Sequence, residues 1–174
     1  MDTTHDKASR MEAFLAGLIL PGLPGLHPCY AAYFRCFNEG RFYEAHDILE
    51  HLWLATTGPD NAFYKGLIQL AGAFVHLEKQ AARPWHPKDG RRLQPASRLF
   101  ALAAKNLAPF APEYHGMKIA PLTGLCADHI AIIQSSTFTI NPLLTARPQL
   151  AWPVAASCAR SPAPDCFPES PILG

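Results

Sequence analysis

The chain has 174 residues, of which 49% are hydrophobic and 10% are aromatic, so it is long and apolar enough to fold as one globular domain rather than stay disordered. Its 15 Lys and Arg residues nearly balance 14 Asp and Glu residues, and a net charge of +1 offers no field that would recruit nucleic acid or an anionic membrane. The five cysteines include no Cys-x-x-Cys pair, which argues against a disulfide framework and against a structural zinc cluster.

The first predicted element is a short helix over about residues 6–20, followed by a turn that closes an N-terminal segment of residues 1–25. Its apolar run, residues 11–20, is short and carries Glu12, so it indicates neither a signal peptide nor a transmembrane helix. Together with the reduced thiols that the cysteine spacing favours, this segment predicts a cytoplasmic location.

Five more helices are predicted ahead of the proline-rich end of the chain, and glycine or proline bounds most of them. They cover about residues 28–39, 41–56, 61–82, 90–108 and 121–134. Residues 135–140 resemble a strand, but a lone strand has no partner. Because short connections favour antiparallel neighbours, residues 26–136 are predicted to form the bundle domain. The predicted fold is therefore all-α, a compact antiparallel bundle of five to six helices.

Residues 137–174 are predicted to be an extended, Pro-rich C-terminal tail, because their prolines cannot propagate a helix. The first part of the tail contains Ile140-Asn-Pro-Leu-Leu and Leu150-Ala-Trp-Pro, which could lie extended on the domain and cover apolar surface. The remainder has the composition of a disordered segment.

The helix predicted at 41–56 carries a histidine and acids among aromatic residues. On a 3.6-residue period, His46, Glu50 and Trp53 fall within about 60° of one another, at the edge of an apolar stripe. An ionisable pair in that position costs free energy unless it is hydrogen-bonded or liganded. The segment is therefore a candidate site.

The helix predicted at 61–82 is apolar around most of its circumference, which predicts that it is the central helix of the bundle. The exception is a polar stripe with two small residues beside it: Lys65, Gln69, His76 and Gln80, with Gly72 and Ala73. Small residues would let another backbone or a ligand approach closely, whereas the alternative is that the stripe simply faces solvent. The sequence leaves the direction of the stripe open.

The stretches 37–53 and 63–76 resemble a family catalogued only as domain of unknown function 309, and the resemblance extends over about residues 28–134. It implies a small all-helical bundle and brings no established activity. It also implies that the family's motif positions are occupied here by Glu44, His46, Glu50, Trp53, Gln69 and His76. Asp47 stands where the family usually has Glu, and Lys65 stands where it often has Gln.

These six motif residues are predicted to form a ligand-binding pocket between the helices at 41–56 and 61–82. Within it, His46, Glu50 and His76 are the predicted metal ligands, because imidazole and carboxylate groups together suit a divalent transition metal such as zinc, iron or manganese. Glu44 would be the base in a metal-assisted hydrolase. The zinc-enzyme motif His-Glu-x-x-His is absent, since His46 and His51 are five residues apart.

Three functional classes stay open on the sequence. The first is a small-ligand or metal-binding module, with its catalytic version unproven. The second is a helical adaptor for a protein partner, in which a structural polar network joins His46, Glu50, Gln69, His76 and the indole N–H of Trp53. The third is an acid–base enzyme without metal. The sequence identifies neither a catalytic residue, a substrate nor a particular partner.

Two further features have a structural and a functional interpretation. Cys126 and His129 lie three residues apart on a predicted helix, and a core cysteine beside a surface histidine is favoured over a catalytic pair. Trp85 lies in a proline-bracketed loop, where packing over the end of the central helix is favoured over a role in binding a partner.

Overall fold

The computed structural model describes residues 13–14, 16–17 and 26–154. Most of the predicted N-terminal helix and the last part of the tail, residues 155–174, lie outside the described residues. Within the described part, five α-helices follow one another along the chain: α1 Pro28–Asn38, α2 Phe42–Leu54, α3 Pro59–Ala82, α4 Leu93–Leu107 and α5 Ile119–Ser135. The predicted all-α bundle is confirmed.

The longest helix, α3, lies at the centre and packs against α2 on one side and α4 on the other. The outer helices follow the same order, since α1 packs on α2 and α5 packs on α4. Phe74 of α3 holds the layers together, because it stacks on Phe42 of α2 at 4.9 Å and meets Phe100 of α4 edge-on at 5.1 Å. Each such buried side chain contributes about 1.5–3 kcal/mol through the hydrophobic effect.

Close approach of α3 and α4 depends on a missing side chain at Gly66. A Cβ atom there would lie 2.7 Å from Leu107 Cγ, which is closer than real contacts allow. The two helices can therefore pack at short range near this point, where a larger residue would push them apart.

A two-stranded antiparallel hairpin between α4 and α5 was not expected from the sequence. Its strands are β1 Glu113–Tyr114 and β2 Met117–Lys118, joined by a turn in which His115 and Gly116 have φ of 46° and 73°. Residues 135–140 are not a strand, so their resemblance to one was misleading. Strands of two residues are too short to show a period-two pattern, which explains the omission.

The first part of the tail does lie on the bundle. The side chain of Asn38 accepts a hydrogen bond from Leu150 N at 2.7 Å and donates one to Leu150 O at 2.9 Å. Earlier in the tail, Asn141 Nδ2 donates to the carbonyl oxygen of Leu77 in α3 at 2.8 Å. The Asn38–Leu150 bonds join residues 112 positions apart, and the Asn141–Leu77 bond joins residues 64 positions apart. The tail therefore links α1 and α3 to the C-terminal part of the chain.

The loop after α3 contradicts one expectation. Trp85 does not pack over the end of the central helix, because its side chain is 80% exposed. None of the described helices has the length and apolar character needed to cross a membrane.

Candidate functional site

Between α2 and α4, the surface of α3 presents a half-buried polar strip at Gln69, Gly72 and His76, called here the groove. Gly72 lies at its floor, because a Cβ atom on Gly72 would be 3.7 Å from His46 Cδ2 of α2 and 3.6 Å from Leu99 Cδ1 of α4. Gln69 and His76 lie three and four residues from Gly72, on the same side of the helix. Part of the stripe whose direction the sequence left open, at Gln69, Gly72 and His76, therefore lies half-buried between two helices. Lys65 at one end of the stripe is exposed, and Gln80 at the other end accepts a hydrogen bond from Asn141 of the tail.

Gln69 and His76, the polar residues of the groove floor, are hydrogen-bonded to the neighbouring helix. Gln69 bonds a residue of α4, and His76 bonds Arg92, the residue before α4. Gln69 Oε1 accepts a hydrogen bond from Asn106 Nδ2 at 2.7 Å. His76 lies one helical turn beyond Gly72, and its Nδ1 atom is 3.2 Å from Nη1 of Arg92. Burial lowers the pKa of His76, and the nearby charge of Arg92 lowers it further. A neutral imidazole is therefore favoured, with Nδ1 as the acceptor of the Arg92 hydrogen bond.

The wall formed by α2 holds a group of potential metal ligands. His46, Asp47 and Glu50 each offer one ligand atom, and these atoms all lie within 4.8 Å of one another. His46 Nδ1 is 3.3 Å from Asp47 Oδ1, and all three side chains are partly buried. Among the described residues, this group brings together two of the three predicted metal ligands with a carboxylate that the prediction had left out.

The helical geometry explains why these three side chains meet. His46 and Glu50 are four residues apart and so lie one above the other on the same face. Asp47 lies about 60° further round than Glu50, toward the solvent side, yet its short side chain reaches the imidazole. The opposite edge of the His46 ring, Cδ2, faces α3 at Gly72, where an added Cβ atom would lie 3.7 Å from it.

The other predicted site residues are dispersed. His76 is not a member of the ligand group and lies beside Arg92 at one end of the groove. Glu44 pairs with Arg41 at 3.3 Å, on the α2 turn before the group. The indole Nε1 of Trp53 is buried without a hydrogen-bond partner in the described part of the chain. The assignment of ligands remains a prediction, and the polar network is not visible as mutual bonds among Gln69, His76 and Trp53.

No activated thiol accompanies the groove in the described part of the chain. Burial raises the pKa of Cys126 to about 12 and that of Cys36 to about 11, and Cys29 is buried as well. His129 is buried between Phe74 and Phe100, so the expectation of a surface histidine was wrong. These thiols act as small core residues, as the sequence suggested for Cys29 and Cys36.

Comparison with known proteins gives one match. The family model described as "Domain of unknown function (DUF309)" matches residues 30–85, which include all of α2 and α3 and nearly all of α1. The predicted resemblance is confirmed, and both the ligand group and the groove floor lie within the matched segment. No curated protein and no solved structure matches the chain.

Proposed function

We propose that this protein binds a divalent transition-metal ion through His46, Asp47 and Glu50, beside a groove that receives a small ligand. The observation that supports this most strongly is that three side chains of the right chemistry offer ligand atoms within 4.8 Å of one another. Ligand atoms of a metal at 2.0–2.2 Å lie roughly 3–4.3 Å apart, so modest rotamer changes would close the group around an ion.

One imidazole nitrogen and two carboxylate oxygens suit zinc, manganese or iron. Three protein ligands leave coordination positions open, and a site of that kind can bind water or a substrate atom. Proximity to the groove supports the ligand-binding part of the proposal, since His46 belongs both to the ligand group and to the groove wall. Any catalytic use would be metal-assisted hydrolysis, with the water activated by the ion.

The proposal modifies the ligand set expected from the sequence. Asp47 replaces His76 as the third ligand, because Asp47 lies in the group and His76 is bonded to Arg92. His76→Ala is therefore a matched control for His46→Ala, since both remove a half-buried histidine beside the same groove.

The test is elemental analysis of purified, untagged protein after incubation with zinc, manganese or iron and removal of free metal. Wild type and His76→Ala are expected to retain near-stoichiometric metal, whereas His46→Ala and Asp47→Asn are expected to lose at least nine-tenths of it. A wild-type protein without metal under all three conditions would overturn the proposal. Loss of metal from His76→Ala as well would favour the ligand set predicted from the sequence.

Urea unfolding of the same variants separates metal binding from a structural role. If His46→Ala loses metal but keeps the urea midpoint of the metal-free wild type, the ligand group serves binding. If it unfolds at a much lower urea concentration and the wild type holds no metal, the histidine serves the fold, as the structural-network alternative requires.

A further inference from the structure

The loop between α3 and α4 displays the most exposed aromatic side chain of the described residues. Trp85 is 80% exposed, although a tryptophan is more often largely buried. The two flanking prolines, Pro84 and Pro87, restrict the backbone on either side of it. Tryptophan is enriched among the few residues that carry most of the binding energy at protein interfaces.

Ion pairs and tight backbone packing restrain the conformation of this loop. Asp89 is 2% exposed, and Arg83 and Arg92 approach its two oxygens at 2.5 Å and 2.6 Å. The Arg83 contact is ionic, while Arg92 also donates a hydrogen bond. Gly90 packs so tightly against the backbone of Pro84 that a Cβ atom there would clash. A preorganised loop lowers the entropy cost of binding through Trp85.

The chain segment around Trp85 is rich in basic residues. Residues 79–98 hold six of the chain's 15 Lys and Arg residues but one of its 14 acidic residues, Asp89, which is buried and neutralised. Lys88 and Arg91 point into solvent and form no ion pair with any described residue. The near-neutral total therefore conceals a local excess of positive charge, with nine basic and thirteen acidic residues elsewhere.

A shallow cavity of about 300 Å³ lies beside this loop. It is lined by Gly90, Arg91, Leu93, Gln94 and Phe138, so it combines a cation with an exposed aromatic ring. The backbone of Pro84, the residue before Trp85, packs against Gly90 of the cavity lining, so one loop carries both an exposed tryptophan and a recess. An exposed anchor residue and a recess on the same surface are features of protein-docking sites.

We propose that the surface formed by Arg83, Trp85, Lys88, Arg91 and Phe138, called here the Trp85 surface, docks an acidic segment of another protein that carries apolar side chains. Charge complementarity sets the acidic character of the partner, and Trp85 with the cavity requires the apolar side chains. This proposal does not depend on metal binding by α2.

The charge distribution favours a protein segment over an extended polyanion. Nucleic acid or an anionic membrane presents negative charge over a wide area, and the rest of the chain, with thirteen acidic against nine basic residues, would oppose such a surface. A short acidic segment meets only the local patch. A single exposed tryptophan also suits one partner pocket better than a row of stacked bases.

The test uses a phage-displayed library of random dodecapeptides selected against the whole protein and counter-selected against Trp85→Ala. Enriched peptides are expected to be rich in Asp and Glu with interspersed apolar residues. A synthetic copy of the leading peptide should bind at least tenfold more weakly to Trp85→Ala and to Lys88→Glu/Arg91→Glu, and more weakly as salt is added.

Two matched controls keep the result specific. Tyr43→Ala removes another exposed aromatic residue, and Lys105→Glu reverses another exposed cation; both should bind the peptide like wild type. Enrichment without acidic residues, or equal binding to Trp85→Ala in a variant that melts like wild type, would overturn the proposal. Tighter Trp85-dependent binding to an oligothymidylate or to phosphatidylglycerol vesicles than to the peptide would overturn it as well.

Discussion

Gly72 is the residue whose substitution tests the groove most directly. An added methyl group would sit at ordinary contact distance, 3.7 Å from His46 Cδ2 and 3.6 Å from Leu99 Cδ1. We expect Gly72→Ala to raise the free energy of unfolding by up to about 1 kcal/mol, because alanine is the better helix former and the space is available. Urea unfolding measures the change, and metal stoichiometry should stay the same.

Gly66 on the same helix is the matched control for Gly72. A Cβ atom there would lie 2.7 Å from Leu107 Cγ, so we expect Gly66→Ala to lower the free energy of unfolding by about 1–3 kcal/mol through overpacking. If Gly72→Ala raises the free energy of unfolding while Gly66→Ala lowers it, the result would support a gap between α2 and α4 above Gly72. A loss of stability in both variants would contradict the groove.

At the residue scale, two members of the ligand group could be placed together from the sequence for a clear physical reason. His46 and Glu50 share a helical face, and a 3.6-residue period reveals that without any tertiary information. The helical period could not assign Asp47 to this group, because periodicity gives the direction of Cβ but not the reach of a side chain toward its neighbour. The bond from Arg92 to His76 depends on where α4 starts relative to α3, which no local pattern contains.

At the scale of elements, helix bounds could be predicted where glycine and proline mark them. Gly40 and Gly58, with φ of 76° and 72°, separate α1, α2 and α3 close to the predicted positions. The central position of α3 followed from its nearly uniform apolar surface. The hairpin was missed because its strands consist of two residues each and depend on neighbours for support. Tyr114 donates a hydrogen bond to Asp60 of α3 at 2.5 Å.

The attachment of the tail can be tested at Asn38. Asn38→Ala removes both bonds between this side chain and the backbone of Leu150, which are 2.7 Å and 2.9 Å long. We expect a loss of about 1–3 kcal/mol and a marked acceleration of hydrogen exchange at the Leu150 amide, since that group loses its partner. Exchange in α4 should change little. Unchanged protection at Leu150 would show that the tail is held by other contacts.

At the scale of the whole molecule, buried histidines make stability depend on pH. Burial is the main cause that lowers the pKa of the half-buried His76 and the buried His129 below the ordinary value of 6.5. At a pH just below 6.5, these sites in the unfolded chain therefore bind more protons than they do in the folded chain. The free energy of unfolding consequently falls as the pH decreases through this range. Above 6.5 both states are neutral at these sites, so this contribution is complete and constant.

The measurement is the urea midpoint at several pH values between about 5 and 7.5, where stability should rise with pH and then level off. His129→Leu should flatten the rise, because it removes one buried histidine that resists protonation. Greater stability at the acid end of the range would contradict this prediction.

The C-terminal boundary of the family match bears on which fragment of this protein could fold by itself. The match ends at residue 85, just after α3, whereas the helix that covers α3 begins at Leu93. A fragment cut at residue 85 would lack Phe100, which packs on Phe74, and Leu107, which packs beside Gly66. The face of α3 that α4 covers would then be exposed to solvent. The matched segment therefore marks a shared signature and not an autonomous folding unit; a transplantable module would have to include α4, α5 and the tail contacts of Leu150.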